Sequence, residues 1–264
     1  MWRNLARLPR YRGLIQSLVA RELKARYRGS VLGFFWSFIN PLVLLTIYSI
    51  VFATFLPNRS QLIEPYGLFM FCGLLPWTWF SASLTESSAS LIAGGNLIKK
   101  VLFPAEILPI VSVLSNMVHF FLGLPILVGF LLYFEHTPDL YDLAWFPVVV
   151  LIQLIFTAGI ALVLAALTAH FRDIRDILSH VLTFWFFATP IIYPYFQQGL
   201  EPYQTWLKWN PVMHLAVSYQ ELLFFDGPFG QLPWVLLLGA MSVVFFLGGY
   251  WVFDRLRDSF AEVV

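Results

Sequence analysis

The sequence predicts an all-α integral membrane protein, with residues 1–264 forming a single domain of six membrane-spanning helices. Hydrophobic residues make up 59% of the chain and charged residues 12%, whereas about a quarter of the residues of soluble domains are charged. The mean hydropathy is +0.75, and the apolar residues are gathered into long runs that carry no charge. These observations exclude a water-soluble globular protein.

Each of the apolar runs is long enough to form a helix that crosses a bilayer, which requires about 20 residues. The predicted spans cover residues 31–56, 67–90, 107–134, 143–170, 177–196 and 232–253. Pro190 and Pro194 interrupt the fifth run, so we expect a short or kinked fifth span that leads into a long, half-polar segment. The single cysteine, Cys72, provides neither a disulfide framework nor a cysteine metal site.

Basic residues predict the orientation of the spans, because the cytoplasmic flanks of membrane helices carry the excess of Lys and Arg. Fourteen of the 16 basic residues lie before the first span, in the even-numbered connections or in the C-terminal tail. The two exceptions are Arg59 and Lys208. We therefore expect a multi-pass protein of the cytoplasmic (inner) membrane with both termini on the cytoplasmic side.

The basic segment before the first span, residues 1–30, predicts an amphipathic helix that lies in the membrane surface. Leu14, Ile15, Leu18 and Val19 recur there at helical spacing among basic residues. A simple positively charged flank is the alternative. The basic residues assigned to this interfacial helix are Arg21, Lys24, Arg26 and Arg28.

An active site within the membrane requires polar groups gathered at one place, and this sequence offers few. Asp173 and Asp176 lie three residues apart, with Arg172 and Arg175 beside them at a cytoplasmic boundary. Ion-paired helix capping explains this cluster better than a metal site does. We therefore expect no catalytic residue, no metal and no cofactor in this chain.

Transport coupled to an ion gradient is disfavoured as well, because such transporters place ionisable residues deep in the membrane. Glu86 is the main exception, and water, Lys99 or Lys100 is expected to satisfy it near the cytoplasmic end of the second span. His119, in the third span, is assigned a packing role. The phosphate-binding pattern G-x-x-x-x-G-K-[ST] is absent from the sequence, so any ATP hydrolysis must be performed by another chain.

Aromatic residues make up 18% of the chain and are concentrated in the first and fifth spans. Such residues form belts at the membrane interfaces, or they line a path for sugars, whose apolar C–H faces stack on aromatic rings. Tyr48, Phe52 and Phe55 share one helical face. The residues considered for a sugar path are Phe34, Trp36, Phe38, Tyr48, Phe52, Phe55, Trp185, Tyr193 and Tyr195.

Four segments of the sequence are distinctive, and the most specific is RELKARYRGSVLGFFWSFINP at residues 21–41. It is followed by NLIKKVLFP at 96–104, FRDI at 171–174 and NPVMHL at 210–215. In the same order, these segments resemble the permease subunits of type-2 ABC exporters for polysaccharides. Together with the six-span layout, the resemblance covers essentially the whole chain. Members of this family export lipid-linked O-antigen, capsular polysaccharide or teichoic acid.

The resemblance implies a homodimer of this chain joined to two cytoplasmic ATPase subunits, which bind the ATP and Mg²⁺. The connection between the second and third spans then forms a coupling helix that docks into the ATPase, with Glu106 just beyond it as a cap or anchor. The interfacial helix is implied to pack near the same ATPase. The coupling residues are Asn96, Leu97, Ile98, Lys99, Lys100, Val101, Phe103 and Pro104.

On the outer side, the resemblance implies that residues 195–231 dip back into the membrane as re-entrant gate helices. A folded external loop is the alternative. The first and fifth spans are implied to line a glycan conduit at the dimer interface and to open sideways for a polyprenyl-diphosphate carrier. Their aromatic content agrees with that role.

The implied function is ATP-driven export of lipid-linked O-antigen by a transport subunit that has no ATPase site of its own. The aromatic first and fifth spans favour O-antigen, and capsular polysaccharide or teichoic acid is the alternative within the family. Outside the family, one alternative is a membrane-embedded glycan or lipid transferase built on Asp173, Asp176, Glu86 or His119. An ATP-independent channel or flippase is the other.

Overall fold

The structure is a computed structural model that describes residues 8–51, 63–100, 103–196, 200–225 and 232–263. Within these residues every regular element is a helix, which confirms the all-α prediction. Short 3-10 turns lie at Leu8–Tyr11, Gly33–Phe35, Glu201–Tyr203 and Arg257–Ser259. In chain order, the α-helices are α1 (Arg12–Arg26), α2 (Trp36–Ile50), α3 (Tyr66–Ala93), α4 (Gly95–Lys100), α5 (Ile107–Tyr133), α6 (Leu140–His170), α7 (Ile174–Phe187), α8 (Gln204–Lys208), α9 (Pro211–Leu223), α10 (Leu232–Leu256) and α11 (Phe260–Val263).

Four of the described helices, α3, α5, α6 and α10, are long and apolar enough to cross a membrane. They correspond to the predicted second, third, fourth and sixth spans. The α2 helix has 15 residues and α7 has 14, and both are shorter than the about 20 residues that a bilayer requires. The described residues therefore support four full spans and two shorter helices, and the count of six stays a prediction.

In the first predicted span, residues 31–56, the α-helix begins later in the sequence than the apolar run. Gly29 and Gly33 have φ angles of +80° and +50°, a left-handed backbone region that favours glycine. The regular α-helix starts only at Trp36. Residues 52–62 lie outside the described part of the chain, so the end of this span is not defined.

The fifth predicted span, residues 177–196, corresponds to the shorter α7 helix and a turn after it. The helix ends at Phe187, because Pro190 has no backbone N–H and disfavours helical geometry in Thr189 before it. The backbone N–H of Ile191 then donates to the carbonyl of Thr189 at 2.7 Å. The interruption at Pro190 is confirmed, whereas the predicted end at residue 196 is not observed.

The core is built around α3, which packs against α2, α5, α6, α7 and α9. Its aromatic side chains Phe69, Phe71, Trp79 and Phe80 are all fully buried. Because these large side chains are closely packed, they fix the positions of the helices that contact α3. The α3 helix therefore positions the shorter helices α2, α7 and α9.

The α6 and α10 helices approach each other closely because small residues line their contact. A Cβ atom added to Gly159 would lie 2.8 Å from the backbone of α10, and Gly249 occupies the facing position. Ala161, Ala165 and Ala169, which repeat every four positions, are buried on the same helix. This is the close packing that small residues allow between membrane helices.

Candidate functional site

The predicted coupling residues lie on α4 and on the stretch that leads to α5. Leu97, Ile98 and Phe103 pack against an apolar cluster that includes Phe253 and Phe260 from the C-terminal part of the chain. Asn96 and Lys99 are exposed, and Pro104 is half-buried. The structure thus divides the set into an inward apolar face and an outward polar face. Val101 and the Lys100 side chain lie outside the described part.

Glu106 anchors this region rather than capping the helix that follows. Its carboxylate is 2% exposed and makes no capping hydrogen bond at the start of α5. It pairs with the Arg257 guanidinium and accepts a hydrogen bond from the Tyr250 hydroxyl at 3.4 Å. A buried carboxylate requires such partners, so Glu106 ties the end of the coupling region to the C-terminal tail.

The α1 helix packs on the start of α5, as part of the same body. Leu18 is buried against Ile107 and Val111, with Ile15 and Val19 beside them. The apolar face that predicted a helix in the membrane surface is therefore partly covered by the chain itself. Arg21, Lys24 and Arg28 are exposed, and their place at a membrane surface stays a prediction.

Arg26 differs from the other basic residues of α1 because it forms an ion pair with the bundle. Its guanidinium donates to Glu86 at 2.5 Å and to the Asn116 side-chain oxygen at 3.3 Å. The Asn116 amide donates in turn to Glu86 at 2.7 Å and to the Ser112 carbonyl at 2.9 Å. We call Arg26, Glu86 and Asn116 the polar triad; it joins α1, α3 and α5.

The polar triad corrects the sequence-based expectation for Glu86. Its observed partners are Arg26 and Asn116, neither of which the sequence suggested; the Lys100 side chain lies outside the described part of the chain. These partners are 60 and 30 residues away along the chain, so no local pattern could identify them. The one usable signal was the polar Asn116 within an otherwise apolar run.

A second set of polar contacts connects the end of α1 with α2 and α5. The Tyr27 hydroxyl lies 2.5 Å from the Ser37 hydroxyl and 3.2 Å from Nδ1 of His119. His119 therefore has polar partners in addition to its packing role. Its Nε2 atom is buried and has no hydrogen-bond partner in the described part of the structure. The sequence drew attention to His119 but not to Tyr27 or Ser37.

Two cavities lie on either side of the polar triad. The inner cavity, of about 440 Å³, lies between α2, α3 and α5 and is lined by Arg26 and Asn116 of the triad together with Trp36 and Trp79. The α1 cleft, of about 510 Å³, lies along α1 and is lined by Glu86 of the triad. Arg21, Glu22, Leu97 and Arg175 line the same cleft.

Glu22 faces the α1 cleft and is partly removed from water. Burial raises the pKa of Glu22, and the neighbouring negative charge of Glu86 raises it further, while a hydrogen bond from Ser115 opposes the change. The Ser115 hydroxyl donates to Glu22 at 3.3 Å. Glu22 is therefore a proton-sensitive contact between α1 and α5.

The predicted conduit residues of α7 and of the turn after it are held by specific contacts. The Trp185 indole N–H donates to the Asn210 side-chain oxygen at 2.7 Å, and its ring packs edge-on against Phe80. The Tyr193 hydroxyl donates to the Phe187 carbonyl at 3.1 Å. Tyr195 is half-buried. Each of these residues has a structural role, whatever it contributes to a conduit.

The predicted conduit residues of α2 have different surroundings. The Trp36 indole donates to the Ser30 hydroxyl at 3.1 Å, and the ring lines the inner cavity. Phe38 is half-buried, and Tyr48 packs against the main core. Phe52, Phe55 and the Phe34 side chain lie outside the described part. Since α2 packs on α3 and α5 while α7 packs on α3 and α6, the two aromatic groups have different neighbours.

Asn210 holds the end of α7 against α9. Its side-chain oxygen accepts hydrogen bonds from the backbone N–H groups of Val212 and Met213, which makes it the N-cap of α9. Its amide donates to the Ala188 carbonyl at 3.1 Å and to the Thr189 hydroxyl at 3.0 Å. Asn followed by Pro is a readable N-cap signal, but its contacts with α7 were not predictable from the sequence.

The acidic pair at the start of α7 does not form the capping arrangement that the sequence suggested. Asp173 occupies the N-cap position without a side-chain capping hydrogen bond. Asp176 lies in the first turn, where a negative charge favours the helix dipole. Among the described residues, no three His, Cys, Asp or Glu side chains are grouped as a metal site.

The chain is similar to known membrane transport proteins over most of its length. Residues 13–224 match the family described as ABC-2 type transporter. The O-antigen export system permease protein RfbA of Myxococcus xanthus is 40% identical over 265 residues, which cover 100% of both chains. The protein of that name from Klebsiella pneumoniae is 33% identical over 95% of both chains. The polysialic acid transport protein KpsM of Escherichia coli is 22% identical over 78% of this chain and 80% of its own.

Proposed function

Because the chain belongs to the ABC-2 type transporter family, we propose that it is the permease subunit of an ATP-driven exporter of lipid-linked O-antigen polysaccharide. The observation that carries this proposal is the similarity to the O-antigen export permease of Myxococcus xanthus, which extends over the whole of both chains. The four long apolar helices agree with a membrane subunit. Membership of the family also implies a partner subunit that binds ATP.

The proposed assembly contains two copies of this chain and two ATPase subunits at the cytoplasmic membrane, with both termini in the cytoplasm. One copy leaves apolar faces uncovered, and these are candidates for the contact with the second copy. On α7, Phe184 and Phe187 are 76% and 58% exposed, and on α2, Ile47 and Ile50 are also exposed. We place these two faces against each other across the dimer.

The glycan path proposed here runs between α2 of one copy and α7 of the other. Aromatic rings bind the apolar face of a sugar, and every sugar in a chain offers a similar face. Binding can then be made and broken repeatedly as the chain moves, while the polyprenyl diphosphate carrier stays in the bilayer. Trp36 and Trp185 supply large rings on the two helices, and the indole N–H of each is held by a hydrogen bond to another side chain, Ser30 for Trp36 and Asn210 for Trp185.

The coupling proposed for the exporter uses α4 as the contact with the ATPase. Asn96 and Lys99 form its outward face, while Leu97, Ile98 and Phe103 fix the helix to the permease. A helix clamped in this way transmits a rigid-body movement to α3 and α5, between which it lies. The ion pair between Glu106 and Arg257 adds the C-terminal tail to the same body.

The proposal is tested by isolating the chain from its native host in mild detergent and measuring ATP hydrolysis by the proteins that co-elute. A stoichiometric ATPase is expected, and deletion of the permease gene should remove surface O-antigen while its lipid-linked form accumulates inside the cell. Restoration by the intact gene is the control. Isolation of the chain without any ATPase, together with normal surface O-antigen in the deletion strain, would contradict the exporter.

Export of a capsular polysaccharide is the second candidate, favoured by the similarity to the polysialic acid transport protein KpsM. The identity to that protein is 22%, against 40% for the O-antigen permease, so O-antigen is preferred. The same deletion strain separates the two, because loss of capsule with intact O-antigen would reverse the assignment. Turnover of a lipid-linked sugar by the purified chain alone would instead indicate a transferase.

A further inference from the structure

The inner cavity and the α1 cleft are separated by the polar triad. Arg26 and Asn116 line the inner cavity, whereas Glu86 lines the α1 cleft. The Arg26 and Glu86 side chains are 31% and 33% exposed, so both are in contact with solvent-accessible space. The Arg26–Glu86 ion pair therefore lies between the linings of the two cavities.

The ion pair is suited to opening because it is weak compared with the packing around it. Partly exposed pairs contribute little to stability, since water competes for both charges. By contrast, α1 is held on α5 by the buried contact of Leu18 with Ile107 and Val111. The Arg26 and Glu86 side chains can therefore separate by rotation while α1 stays in place.

The walls of the inner cavity suit a neutral, hydroxylated ring. Trp36 and Trp79 supply aromatic surfaces, and Ser37, Asn40 and His119 supply hydrogen-bonding groups. Arg26, the one cation among the described residues of its lining, is already paired with Glu86, so a phosphate would have to displace that carboxylate. The volume of about 440 Å³ is within the usual range of small-molecule pockets.

We propose that the inner cavity is an intramembrane site for a sugar ring, and that the polar triad is the gate through which a polar group reaches it from the α1 cleft. This site lies within one copy of the chain, between α2, α3 and α5, and shares Trp36 with the path proposed at the dimer interface. The sugar assignment rests on the proposed function, because a glycan exporter supplies that ligand. The gate rests on the geometry of the triad and the two cavities.

Thiol labelling in the assembled complex tests the gate. In a Cys72→Ala background, Thr78→Cys places a sensor in the inner cavity, and Thr46→Cys is the matched control outside both cavities. Each threonine hydroxyl donates to a carbonyl of its own helix, at 2.7 Å for Thr78 and 2.8 Å for Thr46. A charged, membrane-impermeant thiol reagent is added to the α1 side of oriented vesicles.

Removing the charge of the carboxylate with Glu86→Gln is expected to raise the labelling rate at position 78 by about fivefold, the effect of losing a weak ion pair. The rate at position 46 is expected to stay unchanged. Exchanging the charges with Arg26→Glu and Glu86→Arg together should return the rate at position 78 to its original value. Unchanged labelling at position 78 in both Glu86→Gln and Arg26→Gln, or an equal rise at both sensors, would overturn the gate.

The sugar assignment is tested by protection of the same sensor in the Glu86→Gln variant. Octyl glucoside, kept below the concentration that dissolves the vesicles, is expected to slow labelling more than a phosphocholine detergent of the same chain length. Trp36→Ala should remove that difference. Equal protection by the two detergents would overturn the sugar assignment. The labelling rate does not depend on transport. Failure of the gate proposal therefore changes the labelling result, whereas failure of the exporter proposal changes ATPase co-elution and surface O-antigen.

Discussion

At the scale of single residues, the Asn210 side chain joins α7 to α9 through several hydrogen bonds. Its side-chain oxygen caps α9 and accepts a hydrogen bond from the Trp185 indole N–H. Its amide donates hydrogen bonds to the Ala188 carbonyl and the Thr189 hydroxyl, which follow α7. Alanine cannot make any of these contacts, and the loss of an N-cap alone costs about 0.5–2 kcal/mol. The half-buried Trp185 N–H is left without its partner as well.

We therefore predict that Asn210→Ala lowers both the thermal stability and the export rate, whereas Asn210→Asp retains more of each. The carboxylate keeps the acceptor for Trp185 and the helix cap but loses the two donated bonds. Trp185→Ala is expected to slow export without preventing assembly. The midpoint of thermal unfolding and the rate of surface O-antigen appearance are measured in parallel. Equal stability of Asn210→Ala and the parent protein would contradict the role of Asn210.

Glu22 provides a prediction about pH at the same scale. Burial raises its pKa above the ordinary value of 4.5, so the folded state holds the proton more tightly than the unfolded chain does. The resulting stabilisation is fully present below the ordinary pKa and is lost as the pH rises through the folded pKa. The contact of α1 with α5 should thus weaken between mildly acidic and neutral pH.

Glu22→Gln removes this titration, so α1 should exchange its amide hydrogens more slowly than in the parent protein at neutral pH. Hydrogen exchange of α1, corrected for the intrinsic effect of pH, is compared at mildly acidic and neutral pH. Glu64→Gln, at an exposed carboxylate, is the matched control. If the α1 amides of the parent protein became better protected from exchange as the pH rises, the predicted direction of the pH effect would be wrong.

At the scale of helices, the two faces of α4 predict opposite effects of mutation. The outward Asn96 and Lys99 should affect binding of the ATPase, while the inward Leu97 and Ile98 should affect folding. Shortening a buried Leu or Ile to Ala typically costs about 2–5 kcal/mol, and these half-buried side chains are expected to lie at the lower end.

Asn96→Ala combined with Lys99→Ala should therefore reduce co-purification of the ATPase and lower the unfolding temperature less than the inward pair does. Leu97→Ala combined with Ile98→Ala should lower the unfolding temperature in the isolated chain. Both pairs are assayed by the amount of ATPase bound per permease and by thermal unfolding without the partner. Full ATPase binding by the outward pair would exclude this face as the docking surface.

Helix length decides how much of the fold the sequence could predict. The spans that correspond to α3, α5, α6 and α10 follow from apolar length alone. The start of α2 depends on the backbone at Gly33, which an apolar run does not reveal. The end of α7 depends on Pro190, which the sequence did indicate. The polar triad could not be predicted, because Arg26 lies 60 residues from Glu86 and 90 from Asn116.

At the scale of the whole molecule, α2 and α7 each leave apolar side chains exposed in one copy. In a bilayer an apolar face has no hydrophobic drive to find a protein partner, because lipid tails are equally apolar. Exposure alone is therefore weak support for a dimer. The pairing of α2 with α7 follows from the proposed conduit and requires a direct distance test.

We predict that α2 of one copy lies beside α7 of the other, so that cysteines placed on both faces form a cross-linked dimer. In a Cys72→Ala background, Ile47→Cys and Phe184→Cys lie on exposed faces of the two helices, and thiols bridge when their Cα atoms are about 4.4–6.8 Å apart. Neighbouring positions Val43 and Val181 extend the scan by one turn. Oxidation in native membranes should yield a band of twice the mass with the double variants and little with either single variant.

Val244→Cys, on the exposed face of α10, is the control partner for Phe184→Cys and should give no dimer. Cross-linking with Val244 but not with the α2 positions would move the dimer interface to α10 and remove the aromatic path between α2 and α7.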